Sequence, residues 1–182
     1  MKKNINFFAI IIVFLTFCSK LPAKDNFFLL PEQNEQALKA ILKSFDQSKK
    51  TIKIAIYNFT HKKIAKKLKN VAKKGINIEI ILDEHSSETK KDKSMIGYLA
   101  KYKNITMYQL KGKLSKSKKY YGKMHMKVAI IDNKTVIFGS ANWSYSAFSN
   151  NYELLYIKKD YAIAKKMSKY FDRLKKRAKV YK

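Results

Sequence analysis

Five side chains of chemically useful type lie close together in the sequence: His125, Lys127, Ser140, Asn142 and Glu153. An imidazole can attack phosphorus, or carry a proton near neutral pH. A lysine cation and an amide N–H can hold the non-bridging oxygens of a phosphate as charge builds on them. A carboxylate such as Glu153 can orient an imidazole through its second nitrogen. The set suits phosphoryl transfer, with Lys127, Ser140 and Asn142 as phosphate-binding groups.

Strand periodicity places His125 and Lys127 on one face, about 6.6 Å apart along the chain. Asp132 has the opposite parity and reads as structural. A two-residue turn at Asn133-Lys134 would pair Asp132 with Thr135, Lys127 with Ser140 and His125 with Asn142. A four-residue loop would keep that register, and an odd loop would break it. The expectation is a His-Lys-Ser-Asn cluster on one sheet face, with Gly139 permitting close backbone approach.

The surrounding pattern supplies the elements to carry such a cluster. Strands are predicted at 27–30, 51–57, 76–82, 105–110, 124–131, 135–139 and 152–157. Helices are predicted at 33–45, after Thr60 as N-cap, near 92–102, and at 162–178. Gly75 ends the second helix. Strands alternating with helices early, then adjacent strands later, indicate an α/β domain with a mixed β-sheet flanked by helices.

Two other histidines exist. His61 reads as a surface residue at a helix start, and His85 as a loop residue after a strand. With so few scattered ligands, and adjacent Asp83 and Glu84 diverging, no metal site is expected. Trp143 has two open readings, stacking on a base or packing in the core. So do Tyr120 and Tyr121 within the lysine-rich 111–123: a basic-aromatic rim for single strands, or a solvated loop.

Forty Lys+Arg against 13 Asp+Glu give a formal charge of +27 in 182 residues. That balance attracts polyanions such as DNA, RNA and anionic lipid surfaces, although lysine richness also merely solvates a surface. Lys2 and Lys3 precede an apolar run from about Ile5 to Phe17, and Ala23 is a small residue at a cleavage position. Residues 1–23 read as a signal peptide, with lipidation at Cys18 or an uncleaved anchor as the other readings. The domain proper is 24–182. Without Cys18 it has no thiol, which suits an exported setting: periplasmic, membrane-associated or secreted.

The pattern His125-x-Lys127-x4-Asp132-x6-Gly139-Ser140-x-Asn142 resembles the signature of the phospholipase D superfamily at every defined position. The likeness extends from about Phe27 to the terminal helix and is strongest to small single-motif bacterial endonucleases. Ala55–Thr60 and Asn151–Glu153 fit those nucleases too. The resemblance implies an α/β sandwich, a metal-free phosphodiesterase with His125 as nucleophile, and a symmetric homodimer that builds one site from two motifs. It leaves the substrate open among DNA, RNA and, as the alternative function, cardiolipin-type lipid. A non-catalytic nucleic-acid-binding protein is the third reading.

Overall fold

Thr51–Ile56 is rich in β-branched residues, and its last three, Ile54, Ala55 and Ile56, are buried on both faces; this segment becomes the middle of the sheet. The computed structural model describes residues 26–89 and 92–181; the expected signal at 1–23 lies outside the described residues. In chain order the elements are β1 (Asn26–Leu30), α1 (Asn34–Asp46), β2 (Thr51–Ile56), α2 (Lys62–Lys73), β3 (Asn77–Asp83), α3 (Glu84–Thr89), α4 (Ile96–Leu99), β4 (Ile105–Leu110), β5 (Lys127–Ile131), β6 (Thr135–Gly139), α5 (Tyr145–Ser149), β7 (Glu153–Lys159), α6 (Tyr161–Lys175) and β8 (Lys179–Val180).

The strands of the described residues form one sheet in the order β1-β7-β6-β5-β2-β3-β4-β8. β2, β3 and β4 run parallel, and the remaining pairings are antiparallel. The sequence therefore predicts the fold class correctly: a mixed sheet with helices on both faces. Ile52, Ile54 and Ile56 point into a large core built with α1 and α2. Ala55, Val128, Ile130 and Val136 point the other way, beneath Ala164 and Phe171 of α6. Lys53, also on that side, reaches Asp172 of α6 at 2.6 Å.

Several local expectations give way to tertiary context. The helix expected near 92–102 is the single turn α4. α3, α5 and β8 occupy stretches too short for a periodic signal. His61, not Thr60, caps α2, and its side chain makes no capping bond. Gly75 does end α2, with φ at 92°.

The hairpin after β5 carries a correction with consequences. Ile131 pairs with Thr135 and Val128 with Phe138, so the loop is the odd-numbered Asp132-Asn133-Lys134. Lys127 falls level with Gly139, not with Ser140. The reason lies outside the hairpin. The Asp132 carboxylate accepts the backbone N–H groups of Lys49, Lys50 and Thr51 at 2.7, 2.9 and 2.9 Å. Its own N–H donates to the Thr51 carbonyl at 3.0 Å. Held this way, Asp132 leaves β5 early. Asp132 and Asn133 both turn at φ of 52°, a left-handed conformation that Asp and Asn tolerate.

Replacing Asp132 with Ala leaves three N–H donors without their acceptor, and should lower stability by about 1–3 kcal/mol. Urea unfolding followed by Trp143 fluorescence checks this; an unchanged midpoint would show that water satisfies those donors equally well.

Candidate active site

The carboxyl ends of β2, β3 and β6 and the amino ends of β5 and β7 meet at one end of the sheet, a position where α/β folds commonly bind ligands. Lys127 opens β5, and His125 lies two residues before it, outside the strand. Ser140 and Asn142 follow β6, and Glu153 opens β7. The set is thus gathered around a sheet end, and not laid out along one face as the register argument expected.

Lys127 Nζ stands 3.1 Å from each ring nitrogen of His125, and 3.1 Å from the His125 carbonyl oxygen, to which it donates. A neutral imidazole offers a lone pair at only one ring nitrogen at a time, so the ammonium can donate to one of the two. Burial, then the cations of Lys127 and Lys123, hold the His125 pKa below its ordinary value, against an opposing pull from Asp83. Burial also lowers the Lys127 pKa, with Glu153 opposing it. The Tyr57 ring packs 4.6 Å from the imidazole, and the ammonium groups of Lys127 and Lys123 lie 5.3 and 5.6 Å from its centroid. His125 remains exposed to solvent.

The other half of the site is built on Glu153. Its carboxylate accepts the Ser140 hydroxyl, and the Asn151 amide at 3.4 Å. Ser140 Oγ in turn accepts the Leu154 N–H at 3.1 Å. Within this chain Ser140 and Asn151 hold Glu153, while Lys127 is the group in contact with the imidazole. Gly139 is constrained by the same corner: a Cβ there would lie 2.1 Å from the Leu154 carbonyl oxygen, so no larger residue fits. Asn142 is half-buried, and its Oδ1 is sealed from solvent without a partner.

One contributor escaped the sequence reading. Asp83, weighed there only as a metal ligand, is buried at the end of β3 and accepts the N–H groups of Ser86 at 2.9 Å and Met124 at 2.8 Å. It pins the backbone immediately before His125. A carboxylate ending an apolar strand was the available signal. Among the described residues no three His, Cys, Asp or Glu converge to hold a metal ion.

The remaining candidates resolve simply. His85 is exposed on α3, not in a loop. Trp143 belongs to the core, with Phe59 and Phe45 at 5.2 and 5.8 Å. His61 corrects the expectation of a surface residue. It is 2% exposed, stacked on Tyr145 at 4.3 Å, and burial pushes its pKa down to about 4. The stack forms because α5, absent from the expectation, brings Tyr145 and Phe148 over the start of α2.

The family model described as "Cardiolipin synthase, PLD-like domain" matches residues 41–175, a stretch that contains the whole motif. The chain belongs to this family of phospholipase D-like domains. It is similar to NucT from Helicobacter pylori, at 42% identity over 87% of this chain and 99% of that one, with a TM-score of 0.83. It shares its fold with Nuc, a phospholipase D family member from Salmonella typhimurium, at 24% identity over 87% and 98% of the two chains and a TM-score of 0.74. Among curated proteins it resembles the mitochondrial cardiolipin hydrolase of Xenopus laevis, 25% identical over 140 residues; these are 77% of this chain and 61% of that protein. The chain thus spans less than two thirds of that relative.

Two titrations check the electrostatics. By NMR, His125 should titrate below 6.5, and Lys123→Gln should raise its pKa by removing a neighbouring cation; no rise would discard that coupling. For His61 the folded pKa lies below the unfolded one, so the unfolded state binds the proton more readily. Stability should therefore fall as pH drops from 6.5 towards 4. His61→Phe should flatten that slope, and an unchanged slope would assign it elsewhere.

Proposed function

We propose that this protein is an exported, metal-independent phosphodiesterase that cleaves nucleic acid as a symmetric homodimer. The observation that carries the reading is the Lys127 ammonium held against an exposed His125 whose pKa is lowered towards the neutral, nucleophilic form. A His125 nitrogen attacks phosphorus, and the P–O bond to the leaving oxygen breaks. The second subunit's copy of the same histidine gives that oxygen a proton. It then takes a proton from water, which attacks the phosphohistidine and breaks the P–N bond. The two equivalent imidazoles must hold different protonation states, so they titrate as a pair.

Lys127 and Asn142 from both subunits clamp the phosphate oxygens, and the paired ammonium groups supply the charge that a metal would bring elsewhere. The single motif in the chain supports a site completed by a second copy. Ser140 is committed to Glu153 here, so its part in phosphate binding runs through the placement of that carboxylate. Glu153 orients a histidine of the assembled site. Asp132 and Gly139 shape the scaffold.

Nucleic acid is favoured by the +27 charge and by the likeness to small single-motif endonucleases. Cardiolipin-type lipid is the second reading, favoured by the curated relatives at 24–25% identity that are named cardiolipin hydrolases. The same residues would act on either. Export rests on residues 1–23, and leaves a periplasmic, membrane-associated or secreted location; no helix among the described residues is long and apolar enough to cross a membrane.

Labelled single-stranded DNA, duplex DNA, RNA and cardiolipin are each incubated with the protein in excess EDTA. Nucleic acid should be cut, and His125→Ala should lose roughly a thousandfold or more in rate. Loss of activity in EDTA with recovery on adding Mg²⁺ would overturn the metal-free reading. Lipid hydrolysis with intact nucleic acid would select the second. Light scattering should give twice the chain mass, and a fully active monomer would remove the composite site.

A further inference from the structure

Three helices wall a cavity of about 180 Å³ that none of His125, Lys127, Ser140, Asn142 and Glu153 lines. Its residues come from the first turns of α1 and α2 and from α5. At about 30 Å³ per water in the liquid, it has room for roughly six waters. The first N–H groups of a helix have no partner inside it, and they carry a partial positive charge. α1 has 13 residues and α2 has 12, and neither helix start is capped by a side-chain bond. α2 has no acidic residue in its first turn and begins Lys62-Lys63. Lysines at that end are unfavourable to the helix by itself, and favourable to an anion beside it.

His61 lines the same cavity. It is 2% exposed, and its Nδ1 has no hydrogen-bond partner among the described residues. Burial, with the charge of Lys63 adding to it, holds the ring neutral against the pull of its own backbone. A neutral imidazole still has one N–H to donate. Lys63, Asn34 and Ser149 bring further donors to the cavity, and Glu35 is the one carboxylate that opposes them. These donors belong to three separate helices. An acceptor with oxygens in three directions meets them better than a planar carboxylate does, and a phosphate group has that shape.

We propose that this cavity is a second anion site, apart from the sheet-end site, which binds a phosphate group against His61, Lys63 and the amino ends of α1 and α2. It goes beyond the phosphodiesterase reading and does not rest on it. The group comes from inorganic phosphate or from the end of a nucleotide, and the chemistry of recognition is the same. The site also has a path to the catalytic end. The N–H groups of Thr60 and His61 both donate to the Trp143 carbonyl, at 2.8 and 2.9 Å, and Trp143 follows Asn142 directly. A bound anion favours the protonated imidazole, so filling the site raises the His61 pKa, and by reciprocity protonation tightens binding.

The test is imidazole NMR on the full protein, which has three histidines. His85→Gln and His125→Ala assign their own resonances, and the third is His61. Inorganic phosphate and deoxyadenosine 5′-monophosphate are each titrated against sodium chloride at constant ionic strength. Phosphate should move the His61 resonance saturably, in His125→Ala as in wild type, and raise its pKa by roughly one unit, a tenfold preference for the protonated form. Lys63→Gln should weaken this binding about threefold or more, and Glu35→Gln should tighten it. Both residues are exposed, so neither change disturbs the core. A response to inorganic phosphate alone assigns the site to the free ion, and a response to both ligands extends it to nucleotide ends. The proposal is overturned if chloride moves His61 equally, if phosphate moves only His125, or if Lys63→Gln binds as wild type does.

Discussion

The seam between β2 and β5 is the constraint on which the site depends. It joins a parallel half, β2-β3-β4, to an antiparallel half, β5-β6-β7-β1. Five residue pairs from Ile52–Ile131 to Ile56–Lys127 form the seam. Each end is locked by groups beyond the ladder. At one end Asp132 collects three backbone N–H groups. At the other Tyr57 N–H donates to the Met126 carbonyl at 2.9 Å. A shift of one residue along this seam would turn Lys127 to the other side of the sheet and unpin His125 from Tyr57. The motif aspartate thus acts at a distance: it sets register at the far end of β5 from the chemistry.

A second joint lies between the parts that follow β6. Trp143 N–H donates to the Asn58 carbonyl at 3.1 Å, and the Trp143 carbonyl accepts the N–H groups of Thr60 and His61. The segment bearing Ser140 and Asn142 therefore runs beside the extension of β2, with Trp143 driven into the core as its anchor. Burial of that indole, together with Phe45 and Phe59, stabilises the position of a loop that would otherwise carry unsatisfied backbone groups. Packing and chemistry meet here in adjacent residues: Asn142 half-buried at the site, Trp143 wholly buried behind it.

The charge arrangement is asymmetric in a useful way. Cations crowd the imidazole, while the carboxylates nearest to it are committed to backbone, hydroxyl or amide donors. Asp83 is occupied by two N–H groups, and Glu153 by Ser140 and Asn151. The field at the sheet end is therefore positive towards solvent, and attracts an anion before any specific contact forms. The lysine-rich stretch 111–123, closed at its base by the Gly112 N–H donating to the Gly122 carbonyl, extends the same field outward.

The residue types and spacing of His125, Lys127, Ser140, Asn142 and Glu153 were legible without coordinates, because chemistry that needs several groups at once leaves a dense local pattern. The mixed α/β architecture was legible too, since strand and helix periodicities differ and each long segment obeys one of them. Asp132 read as structural from strand parity, but it lies beyond β5 and turns at φ of 52°, so parity does not govern where it points. What could not be read was any property set by a neighbour distant in sequence. The turn slipped by one residue because Asp132 bonds to residues more than eighty positions away. His61 was buried by α5, a helix of five residues with too little sequence to announce itself. Asp83 became the support behind His125 through a bond across 41 residues. Sequence by itself determined which groups are present and which periodicity each long segment follows. Tertiary structure decided which groups touch, since register, burial and the pairing of charges depend on partners that local pattern does not specify.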